Sequence, residues 1–133
     1  MDHAASRPYG ALLLRLTLGA ALLAHSVYLK VFVFNMGGTL RFFESLGLPG
    51  FLAWVLLLIE AVAGIALILG LQTRRTALAA CPLHLGATSA HWGSGRMFAN
   101  KGCGYPVFWA SAPLVQAVIG GGAYALADER AAS

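Results

Sequence analysis

Four long apolar stretches, separated by polar or glycine-rich segments, dominate the pattern of the chain. They cover about residues 9–34, 51–71, 77–92 and 105–126. A helix needs roughly 20 predominantly apolar residues to cross the hydrocarbon core of a bilayer. We therefore predict an all-α protein, an integral membrane four-helix bundle that forms a single transmembrane domain over residues 1–133.

The segment between the first two spans predicts a short helix that lies in the membrane interface. Leu40, Phe43 and Leu46 are spaced to share one helical face, whereas Arg41 and Glu44 fall off that face. Such an amphipathic pattern is typical of helices that rest on a membrane surface. The glycine and proline residues that follow end the helix and turn the chain into the second span.

Polar residues inside the first span lie on one side of the predicted helix. With Arg15 as the reference direction, Gly19 lies about 40° away, Ser26 about 20° and Lys30 about 60°, while His25 lies about 80° the other way. A charged side chain in hydrocarbon is costly, so these residues are expected to face a protein interior. The opposite side is aliphatic and suits lipid.

Each later span carries a comparable stripe of small and polar residues. Small residues let membrane helices approach closely, and polar residues hydrogen-bond between them. The stripes contain Ala53, Glu60, Ala63 and Gly64 in the second span, Ala77, Ala80, Cys81, His84, Ala87, Thr88 and His91 in the third, and Tyr105, Trp109, Ala112, Gln116, Gly120 and Ala123 in the fourth.

Counting rise along each helix predicts one polar layer made of His25, Glu60, His84 and Gln116, roughly 10 to 16 Å below one surface. Arg15 lies much deeper, nearer the opposite face. Glu60 is expected to be buried and to have a polar partner within hydrogen-bond distance, because an unpaired buried carboxylate is strongly unfavourable. The candidates are Lys30 and the other three members of the layer, with Arg15 possible only if the second helix is shifted in depth.

Composition supports a membrane protein. The chain is 59% hydrophobic and only 11% charged, against about 25% charged residues in soluble domains. Its net charge of +4 comes without any basic run, so nucleic acid is not an expected partner. The positive-inside rule, applied to the compact Arg74–Arg75 pair, predicts that both termini are cytoplasmic.

Two sets of residues are candidates for chemistry within this interior. Glu60 and His25 would relay protons, although the carboxylate would equally serve to lock the helices together. The second set combines hydrogen-bond donors with aromatic rings and would hold a quinone; its members are Lys30, His84, His91, Tyr105 and Trp109. The aromatic residues also suit the aromatic belt of an interface, and the histidines also suit hydrogen-bonded interior positions.

A metal site is not expected. His84 and His91 are seven residues apart, which separates them by roughly 10 Å along a helix, and no cysteine or carboxylate joins them at ligand spacing. No phosphate-binding loop, nucleotide fingerprint or Ser–His–Asp order is present either.

The motifs, in their order along the chain, resemble those of the DoxX family of small bacterial and archaeal membrane proteins. The matching pieces are RLTLGAALLAHSVYLK at 15–30, LGLPG at 46–50, LLIEAVAGIALILGLQTR at 57–74, His91, and GCGYP at 102–106. The resemblance implies four transmembrane helices in a plasma membrane. The family takes its name from a subunit associated with a thiosulfate:quinone oxidoreductase, and other members are linked to oxidative-stress complexes. The family pattern often has an acidic residue before the Tyr-Pro, where this chain has Gly104.

The leading functional hypothesis is therefore a membrane subunit of a quinone-linked redox complex, with quinone as the candidate cofactor and the bilayer as its surroundings. Its partners would be a larger membrane complex or further copies of itself. A structural or assembly subunit without chemistry is the competing hypothesis. A small transporter is the third, because a polar interior with proline-containing helices can line a pathway. The sequence leaves open whether the protein is an enzyme.

Overall fold

Helices are the main secondary structure in the part of the chain that the structure, a computed structural model, describes. That part is the backbone of residues 3–90 and 104–127 and the side chains of residues 6–86 and 109–127. The helices are α1 (His3–Leu23), its π-helical continuation (Ala24–Val33), α2 (Asn35–Ser45), α3 (Phe51–Leu69), α4 (Thr73–Ala90) and α5 (Gly104–Ile119). Within these ranges the sole β-type pairing is an isolated bridge between Leu71 and Ala127.

Two helices are long and apolar enough to cross a membrane, by length and composition. They are Ser6–Val33, which joins α1 to its π-helical continuation, and Phe51–Leu69, which is α3. Large aliphatic side chains on their outer faces are widely exposed, for example Leu13 at 68% and Val62 at 65%. Exposed apolar surface of this extent is unfavourable in water and fits a lipid surrounding.

The long helices pack in pairs around a shared core. Helix α1 contacts α3 and α5, and α4 also contacts α3 and α5. Small and aliphatic side chains fill the centre, where the buried cluster consists of Leu18, Leu22, Ala63, Leu67, Ala77 and Ala80. The predicted small-residue stripes of the second and third spans, which include Ala63, Ala77 and Ala80, do face this interior.

Helices α1 and α3 approach each other closely where they cross at Gly19 and Gly64. A Cβ atom on Gly19 would lie 2.6 Å from Ile68 Cγ1 and 2.7 Å from the carbonyl oxygen of Gly64. A Cβ atom on Gly64 would in turn lie 2.9 Å from the carbonyl oxygen of Gly19. The two backbones therefore touch, as is common where glycines meet in membrane helix pairs.

Two helix boundaries differ from those that the hydrophobic pattern predicts. Helix α4 begins at Thr73, four residues before the predicted third span, because the basic segment joins the first turn of the helix. Helix α5 ends at Ile119 and does not continue to Leu126. Its end coincides with a glycine run in which Gly120 and Gly122 adopt φ values of +81° and +72°, a region that glycine enters without steric cost.

The segment after α5 closes one end of the molecule. The Ala123 N–H donates to the Pro8 carbonyl at 3.0 Å, and the Gln72 N–H donates to the Ala127 carbonyl at 2.8 Å. The start of α1, the α3–α4 turn and the segment 120–127 therefore lie together. Helix α2 packs at the other end, against the π-helical segment and α3.

Candidate functional site: a buried ion pair

The central feature of the candidate site is an ion pair between Lys30 and Glu60. Lys30 Nζ lies 2.5 Å from Glu60 Oε2, and the two side chains are only 12% and 10% exposed. Lys30 is at the far end of the first long helix, and Glu60 is in the middle of α3. The prediction that Glu60 is buried and has a polar partner at hydrogen-bond distance is confirmed, and Lys30 is that partner.

The π-helical segment Ala24–Val33 carries Lys30 to this position. Its backbone pairing includes a bond of 2.8 Å from the Phe34 N–H to the Leu29 carbonyl, five residues earlier. Thr39 of α2 anchors the segment, because its hydroxyl donates to the Lys30 carbonyl at 3.4 Å and to the Asn35 carbonyl at 3.1 Å. π-helical turns are rare and frequently occur at functional sites.

The charges of the pair balance each other, since one ammonium meets one carboxylate in a region with little access to water. Two opposite charges attract much more strongly in such surroundings than in water, but each also loses its hydration. Removing one partner would leave a single buried charge, whereas removing both would leave none. Lys30 keeps two further N–H donors beyond the one that Glu60 accepts, so the ammonium is able to bind an additional acceptor.

His25 does not share this interior. Its side chain is exposed, whereas the next residue, Ser26, is fully buried at 0% exposure. Consecutive helical residues point about 100° apart, so the small serine faces the interior and the imidazole faces the outer surface. The prediction that His25 is buried beside Glu60 is therefore wrong, because the polar arc assumed for the first span was too wide.

His84 lies at a depth similar to that of Glu60. The α3–α4 turn occupies residues 70–72, from which Glu60 is about 15 Å and His84 about 18 Å along antiparallel helices. The imidazole is half-buried, and its Nδ1 lies 2.8 Å from the carbonyl oxygen of Ala80 in the same helix. His84 is thus near the level of the ion pair while contacting its own backbone.

Gln116 lies in the other half of the molecule. Its side chain is fully buried, and Nε2 donates to the carbonyls of Ala11 at 3.3 Å and Gly120 at 2.7 Å. Both partners are at the end where the segment 120–127 meets the start of α1. The predicted layer of four polar residues is wrong for Gln116, because its hydrogen bonds place it beside Ala11 near the start of α1, whereas the depth count assumed that α5 begins at the membrane surface.

Arg15 lies at this closed end, opposite the ion pair as the depth count predicted, but its partners there were not predicted. Its buried guanidinium donates to the carbonyls of Gly121 at 2.9 Å, Ala123 at 3.4 Å and Tyr124 at 3.5 Å. Carbonyl groups beyond the C-terminus of a helix carry partial negative charge and attract cations. The glycines at 120–122, which free these carbonyls from the helix, were the available signal.

Of the remaining predicted residues, Trp109 is half-buried and packs against the central core cluster. It therefore lies deeper than an aromatic anchor at the membrane surface. His91 and the side chain of Tyr105 lie outside the described residues, so their predicted roles stay predictions.

The helices and this site define a helical protein with two candidate membrane spans and a buried ion pair. The DoxX family model matches residues 10–92, well over half of the chain and a range that includes both Lys30 and Glu60. The chain belongs to the DoxX family.

A relative with a functional name covers part of the chain. The protein named "Putative oxidoreductase CatD" of Bacillus subtilis (strain 168) is 43% identical over 65 residues, 49% of this chain and 46% of that protein. The chain thus spans about half the length of this relative. No solved structure matches the chain.

Proposed function

We propose that the protein is a membrane subunit of a quinone-linked redox complex and that the Lys30–Glu60 pair is its functional centre. The observation that carries the proposal is this buried ion pair. The resemblance of the chain to the DoxX family implies a quinone-linked complex. The similarity to a protein named as an oxidoreductase supports the redox assignment. We further propose four transmembrane helices, α1 with its π-helical continuation, α3, α4 and α5, arranged as a bundle in a bacterial or archaeal plasma membrane.

The ion pair suits a quinone head group. A quinone takes up two electrons and two protons when it is reduced, and its carbonyl oxygens accept hydrogen bonds. Lys30 would donate one N–H to such an oxygen while Glu60 holds the ammonium in place. The Lys30 ammonium would give a proton to the reduced quinone oxygen, and the resulting amine would regain a proton from water by way of Glu60. The two electrons would come from the redox partners of the complex. Three further residues would complete the site: His84, which lies at a similar depth, and His91 and Tyr105, whose side chains are outside the described residues. Trp109 would cover the quinone only from the side of the core cluster.

The test is whether the purified protein retains quinone. Protein extracted in a mild detergent is expected to carry quinone that solvent extraction and chromatography can quantify per protein. The variant with both Lys30→Met and Glu60→Met removes the pair without leaving an isolated charge. It should lose about tenfold or more of the bound quinone, because hydrogen bonds to charged groups contribute about 1.5–3 kcal/mol.

The matched control is Arg41→Met with Glu44→Gln, which removes one cation and one carboxylate from the exposed side of α2. It should retain quinone at the level of the unmodified protein. Quinone that is absent from the unmodified protein, or unchanged in the double variant at Lys30 and Glu60, would contradict the proposal.

A structural or assembly subunit is the second candidate function. The contact between Gly19 and Gly64 favours it, because close backbone packing explains much of the small-residue pattern without any chemistry. If the protein is such a subunit, the folded Lys30→Met/Glu60→Met variant should contain as much quinone per protein as the unmodified protein. It should differ only in the larger proteins that co-purify with it.

A further inference from the structure

An apolar groove runs along the outer face between α3 and α4, away from the ion pair. It is a shallow, open depression of about 470 Å³ that is lined mainly by aliphatic side chains of α3 and by the first turns of α4. The wall residues are Leu58, Ile59, Val62, Ala63, Ala66 and Ala79. Ala63, Ala66 and Ala79 are small, so the space lies beside short side chains of both helices.

The length of the groove matches one leaflet of a bilayer. Leu58, Val62 and Ala66 follow one another at four-residue intervals along α3, which covers about 12 Å. Half of a hydrocarbon core of about 30 Å is about 15 Å. The groove therefore extends from the middle of the membrane toward the surface at which the α3–α4 turn lies.

A positive charge stands at the surface end of the groove. Arg75 and Thr76 line that end, and both belong to the first turn of α4, which begins at Thr73. The Arg75 side chain is exposed, and its Nη1 makes a long contact of 3.4 Å with Gln72 Oε1. The N-terminus of a helix adds a partial positive charge at the same place.

We propose that this groove binds an anionic phospholipid. One acyl chain lies along Ala63, Ala66 and Ala79, and the phosphate group contacts Arg75 and the N-terminus of α4. An amphiphile is required because the groove is apolar along its length and cationic at one end only. Basic pockets between membrane helices select anionic head groups in this way. The proposal is independent of the ion pair and of quinone.

Native mass spectrometry of the detergent-purified chain tests the proposal. The protein is titrated with phosphatidylglycerol and, separately, with phosphatidylcholine of the same acyl chains. The unmodified protein should bind phosphatidylglycerol about fivefold more tightly, the contribution of one basic residue near an anionic head group. Arg75→Gln should remove that preference while leaving phosphatidylcholine binding unchanged.

Ala79→Phe fills the groove from its exposed side and should weaken the binding of both lipids. Arg41→Gln, an exposed arginine outside the groove, is the matched control and should retain the preference. Equal binding of the two lipids by the unmodified protein, or a preference that persists in Arg75→Gln, would overturn the proposal. So would an Ala79→Phe variant that changes only the oligomeric state, since a second copy of the chain would then occupy the groove.

Discussion

At the scale of single residues, Lys30 and Glu60 show what a polar pattern in an apolar helix predicts and what it does not. The sequence predicted a buried carboxylate with a polar partner because an isolated charge is too costly in this setting. It could not choose among several partners, since the choice depends on side-chain direction to within a few tens of degrees. His25 was misplaced for this reason: it precedes the buried Ser26 by one residue, and that single step turns it outward.

The ion pair predicts an asymmetric response to substitution. Lys30→Met or Glu60→Met alone should lower the free energy of unfolding by about 3–5 kcal/mol, because each leaves an uncompensated buried charge. The double variant should recover most of this loss, since no charge remains. Equilibrium unfolding in mixed detergent micelles, followed by circular dichroism, measures all three variants.

The exposed pair Arg41→Met and Glu44→Gln is again the control, and each substitution should change stability by less than about 0.5 kcal/mol. If Lys30→Met and Glu60→Met were each as stable as the unmodified protein, the ion pair would not contribute to the free energy of unfolding.

At the scale of elements, the hydrophobic pattern located the helices well and their ends less well. The second span was predicted at 51–71 and found at Phe51–Leu69, because an uninterrupted apolar run permits few alternatives. The first span was predicted as one helix, and the structure adds a π-helical segment within it. A π-helix differs from an α-helix in backbone pairing rather than in polarity, so the polar pattern carries no signal for it.

The α1–α3 contact predicts a strong difference between glycines in the same helix. Gly19→Ala should destabilise the protein by about 1–3 kcal/mol, because the added methyl group overlaps Ile68 and the Gly64 carbonyl. Gly10→Ala, in the same helix, places its methyl group in open space and should be neutral or stabilising by about 0.5–1 kcal/mol. Thermal unfolding in detergent distinguishes them, and equal melting temperatures would rule out the close crossing.

At the scale of the whole molecule, Arg7, Arg74 and Arg75 lie at one end. Arg7 precedes the Pro8 carbonyl that pairs with Ala123, and Arg74 and Arg75 follow the turn that pairs with Ala127. The partners of Arg15 could not be predicted, because a contact between residues more than 100 positions apart depends on how the last helix ends.

The positive-inside rule then predicts the orientation. A green fluorescent protein fused after Ser133 should fluoresce in bacterial cells, and alkaline phosphatase fused at the same position should be inactive. The same reporters fused after Leu48, in the α2–α3 connection, should give the opposite result. Reversed signals at both positions would invert the proposed topology.

The contact of Arg15 with the segment after α5 also constrains how the protein is made. Arg15 is synthesised more than 100 residues before the carbonyls of Gly121, Ala123 and Tyr124. Until those carbonyls arrive, α1 carries a guanidinium without these acceptors, and a charged residue in a membrane helix costs up to about 2.5–3.5 kcal/mol. We therefore expect the placement of α1 to be completed only when the segment 120–127 has been made. Loss of a few residues after Ile119 would therefore weaken the first helix of the chain as well as the last.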